Sequence, residues 1–262
     1  MIGDENKLQA FCMAANLYFI GSEAVSVHLL DTTKGLVLID TGYPDMGELI
    51  INNIVKLGFL PENICAIFHS HGHIDHYGTT RQLVQLSGAK TYISRIDNDI
   101  VNGTFDLSWA KELKLPPIPP FSCDVLVEDG ETFDFGNTTI RCVHTPGHTA
   151  GVMSFIITLP DGTVAAMHGG VGFNSMKSSF LRAYSLSFAC RAQFKEGLRK
   201  LAGEKVDLVL GNHPQQNNTL EKMQRIFRGE KDICDTGEWV RFLREMDVSM
   251  DRLMQNDPEI NS

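Results

Sequence analysis

The sequence predicts an α/β protein folded as a four-layer α/β/β/α sandwich. Three observations lead there. Strand-like segments come first and helix-like segments later, and this order occurs twice along the chain. Several strand segments are continuous apolar runs, as strands covered on both faces are. The chain has 262 residues, 43% of them apolar and 21% charged, an ordinary globular composition with enough length for a sizeable core. No linker and no short internal repeat divides it, so one domain over 1–262 is expected.

The elements follow in order. Asn16–Ile20 and Ala24–Leu30 read as short strands, with Gly21-Ser22 as the turn between them. Leu36–Asp40 (LVLID) is a continuous apolar strand. Pro44–Leu57 reads as a helix, because Leu49, Ile50, Ile54, Val55 and Leu57 recur at helical spacing and Gly58 supplies a stop. Ile64–Phe68 is a second buried strand. Tyr77–Leu86 reads as a helix ended by Gly88, and Lys90–Ser94 as a strand. From Gly103 to Ser122 the periodicity fades, and Pro116, Pro117, Pro119 and Pro120 make the stretch a long loop. Strands resume at Asp124–Val127, Glu131–Phe135, Thr138–His144, Val152–Leu159 and Thr163–Met167. Asp129-Gly130 and Asp161-Gly162 read as hairpin turns. After a Gly- and Ser-rich stretch, Gly169–Ser179, a helix is expected over Ser187–Ala202 and a strand over Val206–Leu210. Helices near Leu220–Phe227 and Glu238–Met254 close the chain.

Charge and cysteine usage narrow the function. The formal charge is −9, from 23 basic and 32 acidic residues. Such a surface repels phosphate backbones, so no nucleic-acid partner is expected. No apolar run reaches the ~18 residues of a membrane span. The start, MIGDENKLQAFCMAANLYF, lacks the basic and then apolar pattern of a secretory leader. Cys12, Cys65, Cys123, Cys142, Cys190 and Cys234 form no CxxC pair, and reduced core cysteines are expected. The expected location is cytoplasmic, unless a leader has been removed.

The chemistry concentrates in His71-Gly72-His73-Ile74-Asp75-His76. Four metal-capable side chains lie within six residues, directly after an apolar strand and before a helix. The strand end holds the backbone, and Gly72 lets the loop turn. His71 and His73 can then face one point while Asp75 and His76 face another. Zinc accepts imidazole nitrogen and carboxylate oxygen, and a catalytic zinc keeps one position for water. A cluster of merely exposed polar residues is the bland reading, and four ligand types at this spacing outweigh it. Two further histidines follow strands: His148 in Thr145-Pro146-Gly147-His148-Thr149, and His213 in Gly211-Asn212-His213-Pro214. Together the segments offer six ligands, enough for two sites of three.

With these segments the sequence resembles the metallo-β-lactamase superfamily. His71, His73, Asp75 and His76 match its HxHxDH motif, and His148 and His213 match its later histidines. Leu38-Ile39-Asp40-Thr41-Gly42 matches the strand and turn before its first helix. The resemblance runs from about Asn16 to about Pro214. NLYFIGSEAVSVHLL, KLGFLPENICAIFHSHGHIDH and HTPGHTAG are most similar to the third lactamase subclass. The resemblance implies that His71, His73 and His148 hold one zinc and that Asp75, His76 and His213 hold a second. Other divalent metals also suit such ligands. It implies that Asp40 is a buried residue supporting the site, where an ordinary strand-end turn is the alternative.

One segment departs from the family. Many of its hydrolases carry an Asp that bridges the two metals, and here the stretch reads Met167-His168-Gly169-Gly170-Val171-Gly172-Phe173. The third subclass also lacks a ligand at this place, but typically carries serines there. If Thr163–Gly170 is a strand, His168 shares a face with Gly170 and could reach the second site. A packed, hydrogen-bonded histidine is the favoured reading of His168, and also of His28, His69 and His144.

The implied activity is metal-dependent hydrolysis of a small molecule. A metal-bound hydroxide would attack the carbonyl of a cyclic, β-lactam-like amide or a related amide or ester. Asp75 would be the catalytic side chain, holding the nucleophile and passing its proton to the leaving group. The alternatives are a lactone, thioester or phosphodiester hydrolase of the same superfamily, and a metal-binding sensor without turnover. Lys177 and Arg182 are candidates for a substrate carboxylate, though solvated charges are the commoner reading. Asn174, Ser175 and Trp109 are candidates for the cleft wall. No feature selects an oligomeric state.

Overall fold

The computed structural model describes residues 7–259. The first six residues, part of the segment read for a leader, lie outside this range, as do the last three of the expected 1–262 domain. A seven-stranded sheet runs in chain order through β1 (Phe11–Ala14), β2 (Leu17–Phe19), β3 (His28–Thr32), β4 (Gly35–Ile39), β5 (Ile64–Phe68), β6 (Lys90–Ser94) and β7 (Val125–Val127). A five-stranded sheet has the order β12 (Leu208–Leu210), β11 (Val164–Met167), β10 (Met153–Thr158), β9 (Thr139–His144), β8 (Thr132–Asp134). The described residues also form eight α-helices: α1 (Gly47–Lys56), α2 (Ile74–Tyr77), α3 (Thr80–Ser87), α4 (Arg95–Val101), α5 (Ser178–Ala183), α6 (Ala189–Leu201), α7 (Thr219–Phe227) and α8 (Glu238–Asn256).

The continuous apolar runs explain the layers. On β4, Val37 and Ile39 face the second sheet, where they join Phe68, Phe155, Met153 and Leu210 in the central core. Leu36 and Leu38 face outward onto Ile50 and Ile54 of α1 and Leu83 of α3. The second sheet repeats the arrangement. Its Val143, Ile156, Ala166 and Val209 pack outward on Phe194 and Leu198 of α6 and on Trp239 and Phe242 of α8. Each sheet is therefore covered on both faces, which gives the α/β/β/α sandwich. Among the described residues no helix is long and apolar enough to cross a membrane.

The structure differs from the sequence reading at several elements. The strand expected over Ala24–Leu30 begins only at His28 and runs on to Thr32. Residues before it turn back, with Ser22 N–H on Val25 O at 3.0 Å, and Ser26 N–H bonds Asn212 O of the other half at 2.7 Å. Asp129-Gly130 is not a hairpin turn, because β7 belongs to one sheet and β8 to the other. The hairpin of that region is β8–β9, and it turns at Gly136, which has φ +85°. Asp161-Gly162 does join the antiparallel pair β10–β11. Two helices, α4 and α5, and the strand β1 were not anticipated. On α1, Ile50 and Ile54 are buried, while Leu49 and Val55 lie exposed on the outer face.

Candidate metal centre

The strands deliver the polar residues to one edge. β4 and β5 are parallel, so Asp40 and the His71–His76 segment leave the first sheet at the same end. β11 and β12 are parallel, and β9 runs with them because both neighbours of β10 are antiparallel to it. The residues after β9, β11 and β12, including His148, His168 and His213, therefore leave the second sheet at one end. Ser70 O accepts from Met153 N–H at 2.8 Å and joins the two edges.

The six residues gather into two trios. The nitrogens of His71, His73 and His148 lie within 4.8 Å of one another, and so do the ligand atoms of Asp75, His76 and His213. The trios adjoin: the His71 ring is 4.7 Å from His73, 4.7 Å from His148 and 4.3 Å from His76. Asp75 Oδ2 is 3.4 Å from His76 Nε2 and 3.6 Å from His213 Nε2.

Hydrogen bonds orient most of these rings. His71 Nδ1 donates to Gly169 O at 2.8 Å, His148 Nδ1 to Gly172 O at 2.6 Å and His213 Nδ1 to Ala24 O at 2.7 Å. His76 Nδ1 donates to Asp40 Oδ2 at 2.9 Å. Carbonyl and carboxylate oxygens only accept, so each Nδ1 carries the proton and each Nε2 presents its lone pair. His71 Nε2 is buried and has no hydrogen-bond partner. An orphaned imidazole nitrogen among other imidazoles and a carboxylate fits a metal ion. Asp40 also accepts from Ser70 N–H and Ser70 Oγ–H, each at 2.7 Å. It supports the site from below, as the resemblance implied.

For four of the five histidines the electrostatics agree with ligand duty, which requires neutral imidazole. Burial, reinforced by neighbouring histidines, holds His71 and His73 well below the usual histidine range. Burial takes His148 down to about 4, and burial also lowers His213. Burial disfavours charge on His76 as well, but Asp75 and Asp40 outweigh it and raise that group.

The glycine stretch after β11 lies against the first trio. A Cβ on Gly170 would stand 2.8 Å from His148 Cδ2, and one on Gly172 would stand 2.9 Å from His148 Cε1. Only glycine allows this approach. The carbonyls of Gly169 and Gly172 then orient His71 and His148, roles that no sequence pattern assigns to main-chain atoms. Ser175 is buried, and its hydroxyl donates to His148 O at 2.7 Å. Trp109, at φ +67°, sets its ring 5.4 Å from His73 and 4.6 Å from Phe180. The long Pro-rich loop thus forms one wall of the site.

Other candidates lie elsewhere. β11 ends at Met167, and His168 is in neither trio. Its Nδ1 accepts from Gly170 N–H at 3.2 Å, its ring packs 5.5 Å from Phe194, and burial lowers it to about 3. It is a packed, hydrogen-bonded histidine and does not reach the second trio. His28 packs on Phe19, His69 Nε2 lies 3.3 Å from Thr80 Oγ1, and His144 Nε2 donates to Ala150 O. Asn174 and Lys177 are exposed, and the exposed Arg182 sets its guanidinium 5.9 Å from the Phe188 ring. Sequence reasoning missed Asp97, which bonds both histidine loops. Its signal was Ser94-Arg95-Ile96-Asp97, a helix-start pattern just before an unassigned stretch.

Two facing sheets with paired His and Asp trios at one edge define a class of metal-site α/β/β/α proteins. This chain belongs to the metallo-β-lactamase superfamily, whose sequence profile matches residues 20–166. Among solved structures, a motif mutant of a metallo-β-lactamase from Cronobacter sakazakii is 26% identical, with a TM-score of 0.85 over 95% of this chain and 98% of that one. BJP-1, a subclass B3 metallo-β-lactamase of Bradyrhizobium japonicum, is 24% identical and shares the fold, with a TM-score of 0.81 over 97% of this chain and 96% of that one. The probable polyketide biosynthesis zinc-dependent hydrolase BaeB of Bacillus velezensis is 31% identical over 105 residues. That match spans 39% of this chain and 39% of the BaeB protein.

Proposed function

We propose that this chain is a hydrolase of small molecules, cleaving a cyclic amide of β-lactam type or a related amide or ester. The observation that carries the reading is the pair of adjoining trios, with most rings turned to present Nε2. His71, His73 and His148 would hold one metal ion, and Asp75, His76 and His213 a second. Zinc suits imidazole and carboxylate donors, two ions per chain, and other divalent ions suit them too. Such a metal pair supplies a hydroxide nucleophile near neutral pH and polarises a substrate carbonyl.

The side chains divide the remaining work. Asp75 turns Oδ2 toward His76 and His213, which leaves its other oxygen to orient the nucleophile and to take up its proton. The same carboxyl then returns the proton to the leaving nitrogen or oxygen. Trp109 and Phe180 shield the His73 side from water and offer an apolar surface to the substrate.

One observation favours a second reading, a lactone, thioester or phosphodiester substrate for the same centre. Gly170 and Gly172 press on His148 and present no side chain that could bind a lactam's polar groups. The formal charge of −9 weighs against nucleic acid among the phosphodiesters. The test is metal analysis together with turnover of a chromogenic cephalosporin and of lactone, thioester and phosphodiester panels, with and without chelator. Two equivalents of zinc with chelator-sensitive cephalosporin turnover, reduced at least about 100-fold by His71→Ala, is the expected result. Turnover confined to another panel selects the second reading. Two equivalents with no turnover leaves a metal sensor. Less than one equivalent after loading overturns the metal centre itself.

A further inference from the structure

Asp97 is fully buried at the start of α4, and its carboxylate is spent on two loops. Oδ2 accepts from Gly72 N–H at 2.8 Å and from Thr149 Oγ–H at 2.5 Å. Oδ1 accepts from Gly151 N–H at 2.8 Å. Gly72 lies between His71 and His73, while Thr149 and Gly151 follow His148. Asp97 stands three residues after the helix cap Ser94, whose Oγ accepts from Asp97 N–H at 3.1 Å. An acidic side chain at that position ordinarily reaches back to the cap residue's amide. Here it reaches outward to the loops instead.

The glycines fit the same arrangement. A Cβ on Gly151 would lie 2.4 Å from Asp97 Oδ1 and 2.2 Å from Ser94 Oγ. A Cβ on Gly72 would lie 3.0 Å from Ile100 Cβ and 3.2 Å from the Asp97 carbonyl oxygen. Both loops rest their main chain directly on the first turns of α4. The second trio has other anchors, Asp40 for His76 and Ala24 O for His213.

We propose that Asp97 is the positioning residue of the first trio: one buried carboxylate that ties the His71–His73 loop to the His148 turn and sets that site's metal affinity without touching the ion. The inference rests on the metal reading above. It follows from donor and acceptor counting. The two glycine amides can only donate, and they approach different oxygens of Asp97. The substitution Asp97→Asn leaves one acceptor oxygen, so either orientation of the amide turns its NH2 toward a buried N–H. One loop is then released from α4, and the three rings no longer converge. Supporting partners of metal ligands typically carry 10- to 100-fold in affinity.

The test compares wild type, Asp97→Asn and Thr149→Val by zinc titration against a competing chelator and by the visible spectrum after cobalt loading. Asp97→Asn is expected to weaken one metal equivalent about 10- to 100-fold, leave the other unchanged and alter the cobalt spectrum of one site only. Thr149→Val keeps the carboxylate but removes one donor, so it shifts the same equivalent by less. It carries the test if Asp97→Asn does not fold. Both equivalents bound as in wild type, or both weakened alike together with lower thermal stability, overturns the proposal. A wild-type chain that takes up no metal overturns the metal reading, and this inference with it.

Discussion

Asp40 follows β4 with φ +61°, in the left-handed region. Short polar side chains tolerate that region better than most. The turn aims the carboxylate back under the site, where it holds Ser70 and His76. Asp40→Asn keeps the size and suits the backbone, so it tests the carboxylate alone. The amide has one acceptor oxygen and cannot serve His76 Nδ1–H together with both Ser70 donors. We expect metal affinity to fall about 10- to 100-fold at the second trio, read by chelator competition. Retained affinity at that trio would show that His76 is held without Asp40. The six proposed ligands were legible at this scale, because HxHxDH packs four donors into one loop. Asp40 was legible only as one of two readings, since a strand-end Asp looks the same whether it caps a turn or supports a histidine.

Helices α4 and α5 show the limit of periodicity. Arg95–Val101 and Ser178–Ala183 have seven and six residues. Segments so short display at most two turns, too few for an apolar period to stand out. The start of α5 is held from the far end of the chain, where the Asp257 carboxylate accepts from Ser178 N–H at 2.6 Å and from the Ser178 hydroxyl. Asp257 Oδ2 also accepts from Arg191 of α6 at 2.8 Å, and its carbonyl accepts from the same guanidinium at 2.6 Å. The Arg191 side chain is only 4% exposed. Asp257→Ala removes the carboxylate partner of that charge, which keeps Met176 O and the main-chain carbonyl of residue 257, and it uncaps α5, which carries Phe180 against Trp109. A loss of about 1.5–3 kcal/mol in urea unfolding is expected. A loss below about 0.5 kcal/mol would mean that the tail contact is not maintained in solution.

At the scale of the whole molecule, burial of histidine links stability to pH. Burial lowers His28 from 6.5 to about 4 and His168 from 6.5 to about 3. In the unfolded chain both protonate near 6.5, so as pH falls the unfolded state takes up protons first. Their contribution to stability is full above that pH and is lost as pH falls toward the folded values. For His28 the loss is on the order of 2–3 kcal/mol. Urea midpoints of the chelator-treated chain should fall steadily from pH 7 to pH 4.5. His28→Gln, which cannot titrate, should make that fall shallower. An unchanged slope would show that His28 takes up its proton as readily in the folded state as in the unfolded one.

The sandwich, most strand and helix positions and the six proposed ligand residues could be read from the chain alone. Those signals are local: doubly apolar strands, helical spacing, and metal-capable side chains set just after strands. Which sheet each strand joins was settled by packing, and that turned Asp129-Gly130 from a hairpin into a crossover. Packing also settled which atoms orient the histidine rings. Gly169 O, Gly172 O and Ala24 O are main-chain groups that every residue possesses, and no sequence pattern marks them. Asp97 meets Gly151 across 54 positions of chain, and only the packing of two sheet edges makes them neighbours.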